Sequence, residues 1–180
     1  MSRNVREDDW VPLAEVARPH GVRGELRLKL FNSDSELLLS LDEVLVRLKD
    51  GEEHEVSIDS ARRADQAILI RLHSVEGRDR ADELRGALIC AKRSSFPPLD
   101  DGEFYACDVE GALVRAPKNG GVVELGRVRE LRSYPSVDAL VIAATDGGRD
   151  WEVPLVAAFI ARVDVEAGIV ELVTLEGLDR

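Results

Sequence analysis

Asp100-Asp101-Gly102-Glu103-Phe104-Tyr105-Ala106-Cys107-Asp108-Val109-Glu110-Gly111-Ala112-Leu113-Val114 is the stretch on which the reading of this chain turns. It follows the Pro97-Pro98 pair and sets two rings side by side in a protein that is only 4% aromatic. Successive side chains of an extended segment point to opposite faces, so one of Phe104 and Tyr105 can enter a core while the other faces out. The stretch reads as a hinge that doubles as a recognition surface. The alternative is that both rings fill a second core, since aromatics carry much of a small core's buried area.

Working outward, proline supplies no ladder donor and biases the residue before it to extended geometry, so Ser94 to Gly102 interrupts strand pairing. The 180 residues then divide into two parts near the lower end of domain size. We expect an N-terminal domain over 1–94, a linker over 95–103 and a C-terminal domain over 104–180.

Charge separates the same parts. Residues 1–96 hold 16 Lys+Arg against 19 Asp+Glu, a difference of −3, and residues 97–180 hold 8 against 16, a difference of −8, which together give the −11 of the chain. So acidic a protein cannot hold nucleic acid by bulk attraction, and any RNA contact must be local. The acidic second part suits a basic protein partner. No apolar run approaches the roughly 18 residues that span a bilayer, and the polar start Met1 to Asp9 lacks the apolar segment of a secretory signal. A cytoplasmic protein is expected, and in a reducing compartment Cys90 and Cys107 read as thiols rather than a disulfide.

The first part reads as strands. Val11 to Arg18 ends at Pro19, and Glu25 to Leu30 alternates polar and apolar as a half-buried strand does. Between them Pro19-His20-Gly21-Val22-Arg23-Gly24 makes a tight, shaped connection, its two glycines free to take positive φ. Asp34 to Leu41 suggests a helical turn or two. Strands follow at Glu43 to Leu48, Glu55 to Arg63 and Ala67 to Leu72, with Lys49 to Glu52 as a hairpin turn. Arg80 to Arg85 reads as a helix capped by Asp79 and closed by Gly86, and Ala87 to Ala91 as the last strand. So few strands dispose of their edges best by closing into a small barrel.

The second part repeats the logic. Strands are expected at Glu110 to Ala116, Val122 to Leu131, Ala139 to Ala144, Trp151 to Val156, Ala161 to Val165 and Ile169 to Leu175, with turns at Pro117 to Gly121, Thr145 to Gly148 and Glu166 to Gly168. Trp151 reads as core. The fold class is all-β, two small β-barrels joined by a proline-containing linker.

Chemistry is sparse. His20, His54 and His73 have no metal-ligand spacing to a cysteine or to one another, so no metal is implied. A Gly-x-Ser-x-Gly elbow and a phosphate-binding Gly-x-x-x-x-Gly-Lys-Ser/Thr loop are both absent from the sequence. A carboxylate nuclease, which needs no fixed spacing, and a general two-barrel adaptor stand as the alternatives. The densest cationic patch is Arg18, His20, Arg23, Arg27 and Lys29 around the glycine turn of Gly21 and Gly24, opposed only by Glu25. It is the preferred RNA contact. Ordinary solvated strand charges are its competing explanation.

The segments Val16 to Leu26, Ala81 to Gly86, Gly102 to Tyr105, Trp151 to Pro154, Val163-Asp164 and Glu176 to Asp179 resemble, in order along the chain, the RimM family of bacterial ribosome maturation factors. The resemblance implies a translation-protein-like N-terminal barrel and a PRC-type C-terminal barrel. It implies a non-enzymatic factor that binds the head of the immature small ribosomal subunit and supports folding and processing of its rRNA; a monomer without a cofactor is expected. The implied protein partner is the basic small-subunit ribosomal protein nineteen, contacted through the C-terminal domain, here around Tyr105, Phe104 and Asp108. The family usually carries two aromatics at the positions of Tyr105 and Ala106, and here the second is alanine. One lost ring removes about 0.5–1.5 kcal/mol of aromatic pairing.

Overall fold

The computed structural model describes residues 5–100, 102–145 and 147–178. Asp101, Asp146 and Asp179, which fall in the linker, turn and terminal motifs read above, lie outside the described residues. Contacts divide the chain into a unit over Arg6–Pro98 and a unit from Leu99 onward, each with its own core.

The first unit is a closed barrel in the order β1-β2-β5-β4-β3-β6. Its strands are β1 Trp10–His20, β2 Glu25–Leu30, β3 Glu43–Arg47, β4 Glu53–Ala64, β5 Ala67–Leu72 and β6 Leu88–Lys92. Alternation decides what enters: Leu26 and Leu28 of β2, and Ile68, Ile70 and Leu72 of β5, all at most 1% exposed, line one core with Val16, Val44 and Ile89. Each such side chain contributes about 1.5–3 kcal/mol by leaving water. A one-residue slip would turn them all outward.

Pro19 does not end β1 as the sequence reading had it. It pairs with Leu26 inside the β1–β2 ladder, where β1 has already left β6, whose pairing stops at Glu15. The missing N–H therefore falls on the side with no partner strand. The leucine cluster after Asp34 forms a single 3-10 turn, Leu37–Leu39. The barrel mouth beside it is tied by Arg63, whose guanidinium donates to Ser33 O at 3.0 Å and Ser35 O at 2.8 Å. The helix α1 covers Gly77–Glu83, starting earlier than expected. Glu76 flanks its start and Asp79 lies in its first turn, where a carboxylate favours the positive end of the helix dipole without capping it.

The second unit is a six-stranded sheet in the order β10-β9-β8-β7-β12-β11. The strands are β7 Leu113–Lys118, β8 Gly121–Ser133, β9 Asp138–Ala144, β10 Trp151–Pro154, β11 Ile160–Asp164 and β12 Ile169–Leu172. The end strands both feed one core, β10 through Trp151 and Val153 and β11 through Ile160 and Val163, so the sheet is rolled around its contents. Trp151 is core, 5% exposed.

Two expectations shift here. The stretch after Tyr105 is a short helix, α2 Ala106–Val109, so the strand begins at Leu113 rather than Glu110. The turn expected at Pro117 to Gly121 is only Asn119-Gly120, with φ of 52° and 80°, which closes a two-residue hairpin between Lys118 and Gly121.

Candidate functional site

The cationic connection read from the sequence is the β1–β2 hairpin. Its tip, Gly21 to Gly24, carries exposed Val22 and Arg23, and its two glycines differ in kind. Gly21 has φ +65° with open space around it, whereas Gly24, at φ +83°, is buried with its backbone against the β5–α1 loop. A Cβ there would lie 2.2 Å from Val75 O. The hairpin tip is therefore seated rather than waving.

A bulge then decides which side chains share a face. The register slips between Val16 and Arg18, leaving Ala17 unpaired. Val16, paired with Leu28, points into the core, so unbroken alternation would send Arg18 the same way. The extra residue rotates it to the outer face, where it stands directly across from Arg27. Lys29 is exposed one pleat further along β2, opposite Glu15, and His20 pairs with Glu25. Among the described residues, no ion pair engages Arg18, Arg23, Arg27 or Lys29; of the two acids on this face, Glu15 lies across from Lys29 and Glu25 is turned to Arg62 of β4 at 3.4 Å. All seven residues expected at an RNA contact thus fall on one hairpin. Arg62, 37 positions from Glu25 in sequence, joins them only through the barrel.

In the second unit, Phe104 packs on the core and Tyr105 is half-buried immediately before α2. Asp108 is 6% exposed, and its carboxylate Oδ2 accepts the Tyr105 backbone N–H at 3.1 Å. That bond closes the first turn of α2, a use of a buried carboxylate as a cap. Asp108 therefore sets the backbone direction at Tyr105 from within rather than offering charge at the surface. Next to it, Glu110 has its pKa raised, first by burial and then by the charge of Glu130.

The arginines of this unit are largely committed. Arg115 meets Glu124 at 3.6 Å, Arg162 meets Asp164 at 2.6 Å, and Arg129 pairs with Asp150. Arg132 lies between Glu130 and Glu152, while Arg127 donates to Gly111 O at 2.8 Å. Carboxylates in excess of these partners leave the outward charge negative.

Among the described residues no cluster of three His, Cys, Asp or Glu side chains could hold a metal ion, and no helix is long and apolar enough to cross a membrane. Cys90 is buried and burial pushes its thiol pKa up, while Cys107 is half-buried. The Cys107 thiol lies 3.8 Å from the Asp108 carboxylate.

These features define an all-β protein of two β domains with a cationic hairpin in an acidic chain. The RimM N-terminal domain family matches residues 11–96, and the RimM PRC barrel domain family matches residues 106–178. A ribosome maturation factor RimM of Sorangium cellulosum is 49% identical over 172 residues, covering 96% of this chain and 99% of that protein. Proteins of the same name from Myxococcus xanthus and Geobacter metallireducens are 35% and 31% identical, covering 88% and 94% of this chain and 82% and 95% of theirs. The chain belongs to the RimM family of ribosome maturation factors.

Proposed function

We propose that this protein binds the head of the immature small ribosomal subunit and promotes folding and processing of its rRNA without catalysing a reaction. The first unit contacts rRNA through Arg18, His20, Arg23, Arg27 and Lys29, with Gly21 and Gly24 shaping the turn that presents them. The second unit receives the basic small-subunit ribosomal protein nineteen around Tyr105, which Phe104 anchors to the core and Asp108 orients. The protein acts as a cytoplasmic monomer, and it needs no cofactor.

The observation that carries this reading is the set of cations without acid partners on one hairpin of an acidic chain. Unpaired cations concentrated on one face give a local site for phosphates that the net charge would otherwise forbid. Action without turnover follows from differential affinity. A factor that binds the correctly folded head better than a misfolded one shifts the population toward it by that difference and no more.

Cosedimentation with purified immature subunits tests the proposal. Arg23→Glu, at an exposed turn position, is expected to weaken association at least tenfold while leaving the thermal transition in place. Association unchanged in the folded variant, or cleavage of precursor rRNA by the pure protein, would overturn it.

A further inference from the structure

Glu25 and Arg62 form a paired fork at the centre of the cationic face, with Arg62 Nε to Oε1 and Nη2 to Oε2 both at 3.4 Å. Arg62 reaches this face because β4 carries a bulge of its own. The register slips between Ile58 and Ser60, leaving Asp59 unpaired, so that Ser60 and Arg62 turn outward and Ala61 turns in. One row of cross-strand partners then runs Arg18, Arg27, Leu69, Arg62 over β1, β2, β5 and β4. Leu69, between two arginines of that row, is 2% exposed although it lies outside the barrel core. Arginine stems are well suited to cover such a residue while their heads stay in water.

We propose that Arg62 belongs to the RNA-contacting face and that Glu25 is its built-in competitor, occupying the guanidinium until an RNA phosphate displaces it. This rests on the RNA reading of the first unit given above. A guanidinium fork meets two oxygens in nearly the same geometry whether they belong to a carboxylate or to a phosphodiester. The Arg62 side chain is 55% exposed, so a phosphate can approach it, whereas that of Glu25 is 24% exposed and flanked across the ladder by His20. Strands stand about 4.8 Å apart, which puts Arg62 about 10 Å from Arg27 and widens the face by two strands. Aromatic platforms for base stacking are missing from this row, so the contact is to the ribose-phosphate backbone and is indifferent to sequence. Glu25 thereby sets how much negative charge a ligand must bring before the whole row engages.

The test is equilibrium binding of the full-length protein to a labelled RNA hairpin across a salt series. Arg62→Ala is expected to weaken binding at low salt and to reduce the slope of log K against log salt by about 0.7–0.9, one phosphate contact. Glu25→Gln is expected to tighten binding severalfold and to steepen the slope. In the double variant that tightening disappears, because the group it releases is gone. Tightening by Glu25→Gln that persists beside Arg62→Ala would overturn the proposal, as would no tightening at all. A poly-glutamate probe bound with the same dependence on Arg62 would overturn the assignment to RNA phosphate. Failure of the wild-type protein to bind any RNA at low salt is a different result, since it removes the RNA reading itself and this proposal with it.

Discussion

The β1–β2 hairpin of the first unit and the second unit spend their arginines in opposite ways, although Arg47, Arg62, Arg63, Arg80 and Arg85 elsewhere in the first unit are paired with carboxylates. In the second unit Arg115, Arg129, Arg132 and Arg162 each lie against a carboxylate of the same unit, and the acids left over define its surface. In the first unit the β1–β2 hairpin keeps Arg18, Arg23, Arg27 and Lys29 without such partners, although acids outnumber bases in this half too. Net charge therefore hides the local surface. What a partner meets at the hairpin is positive charge that the fold has not neutralised, although both parts of the chain are net negative. Closure differs as well, since the first barrel pairs every strand on both sides whereas the second ladder begins at β10 and ends at β11.

The contrast can be broken one unit at a time, because each holds a single tryptophan, Trp10 in the first and Trp151 in the second, that reports its own transition. The largest effect is expected from Gly24→Ala. Positive-φ strain together with a Cβ forced against Val75 O costs about 3 kcal/mol, or roughly 12–24 °C in the transition seen by Trp10. Gly21→Ala, with the same sign of φ but open space, costs about 1 kcal/mol. Equal losses for the two glycines would show that the seat on the β5–α1 loop does not matter.

A smaller effect should follow from Asp108→Ala, which removes the acceptor of the Tyr105 N–H and lowers the Trp151 transition by about 1 kcal/mol. An unchanged transition would argue that α2 is held by packing alone.

The smallest effect, and one of opposite sign, belongs to Glu110→Gln. Burial and Glu130 raise the Glu110 pKa in the folded state, which therefore holds that proton more tightly than the unfolded chain does. Stability consequently falls as pH rises from the ordinary glutamate pKa through the raised one. Glutamine should give a slightly higher Trp151 transition at neutral pH, and the gain should vanish below the ordinary carboxylate range. A gain independent of pH would assign the effect to something other than ionisation.

The alternating run Glu25–Leu30 and the apolar run Ala67–Leu72 are legible as strands and are strands to the residue. The errors cluster where one residue is inserted or an element is very short. Four residues, Ala106–Val109, cannot display helical periodicity, so α2 was read as part of an extended run. Pro19 looked like a stop because its missing N–H matters only if both flanks of the strand are paired, and that is a property of the barrel. The cationic hairpin was legible because its residues are neighbours in sequence. Arg62 is not, because the bulge at Asp59 and the β2–β5–β4 order bring it to Glu25.

The most direct test of two surfaces of opposite sign is a competition experiment on the intact chain, with an rRNA fragment and the isolated basic head protein as separate ligands. The account predicts that both bind at once without displacing each other, that Arg23→Glu weakens only the RNA, and that Tyr105→Ala weakens only the protein. Mutual displacement of the two ligands, or equal loss of both in Arg23→Glu, would contradict it.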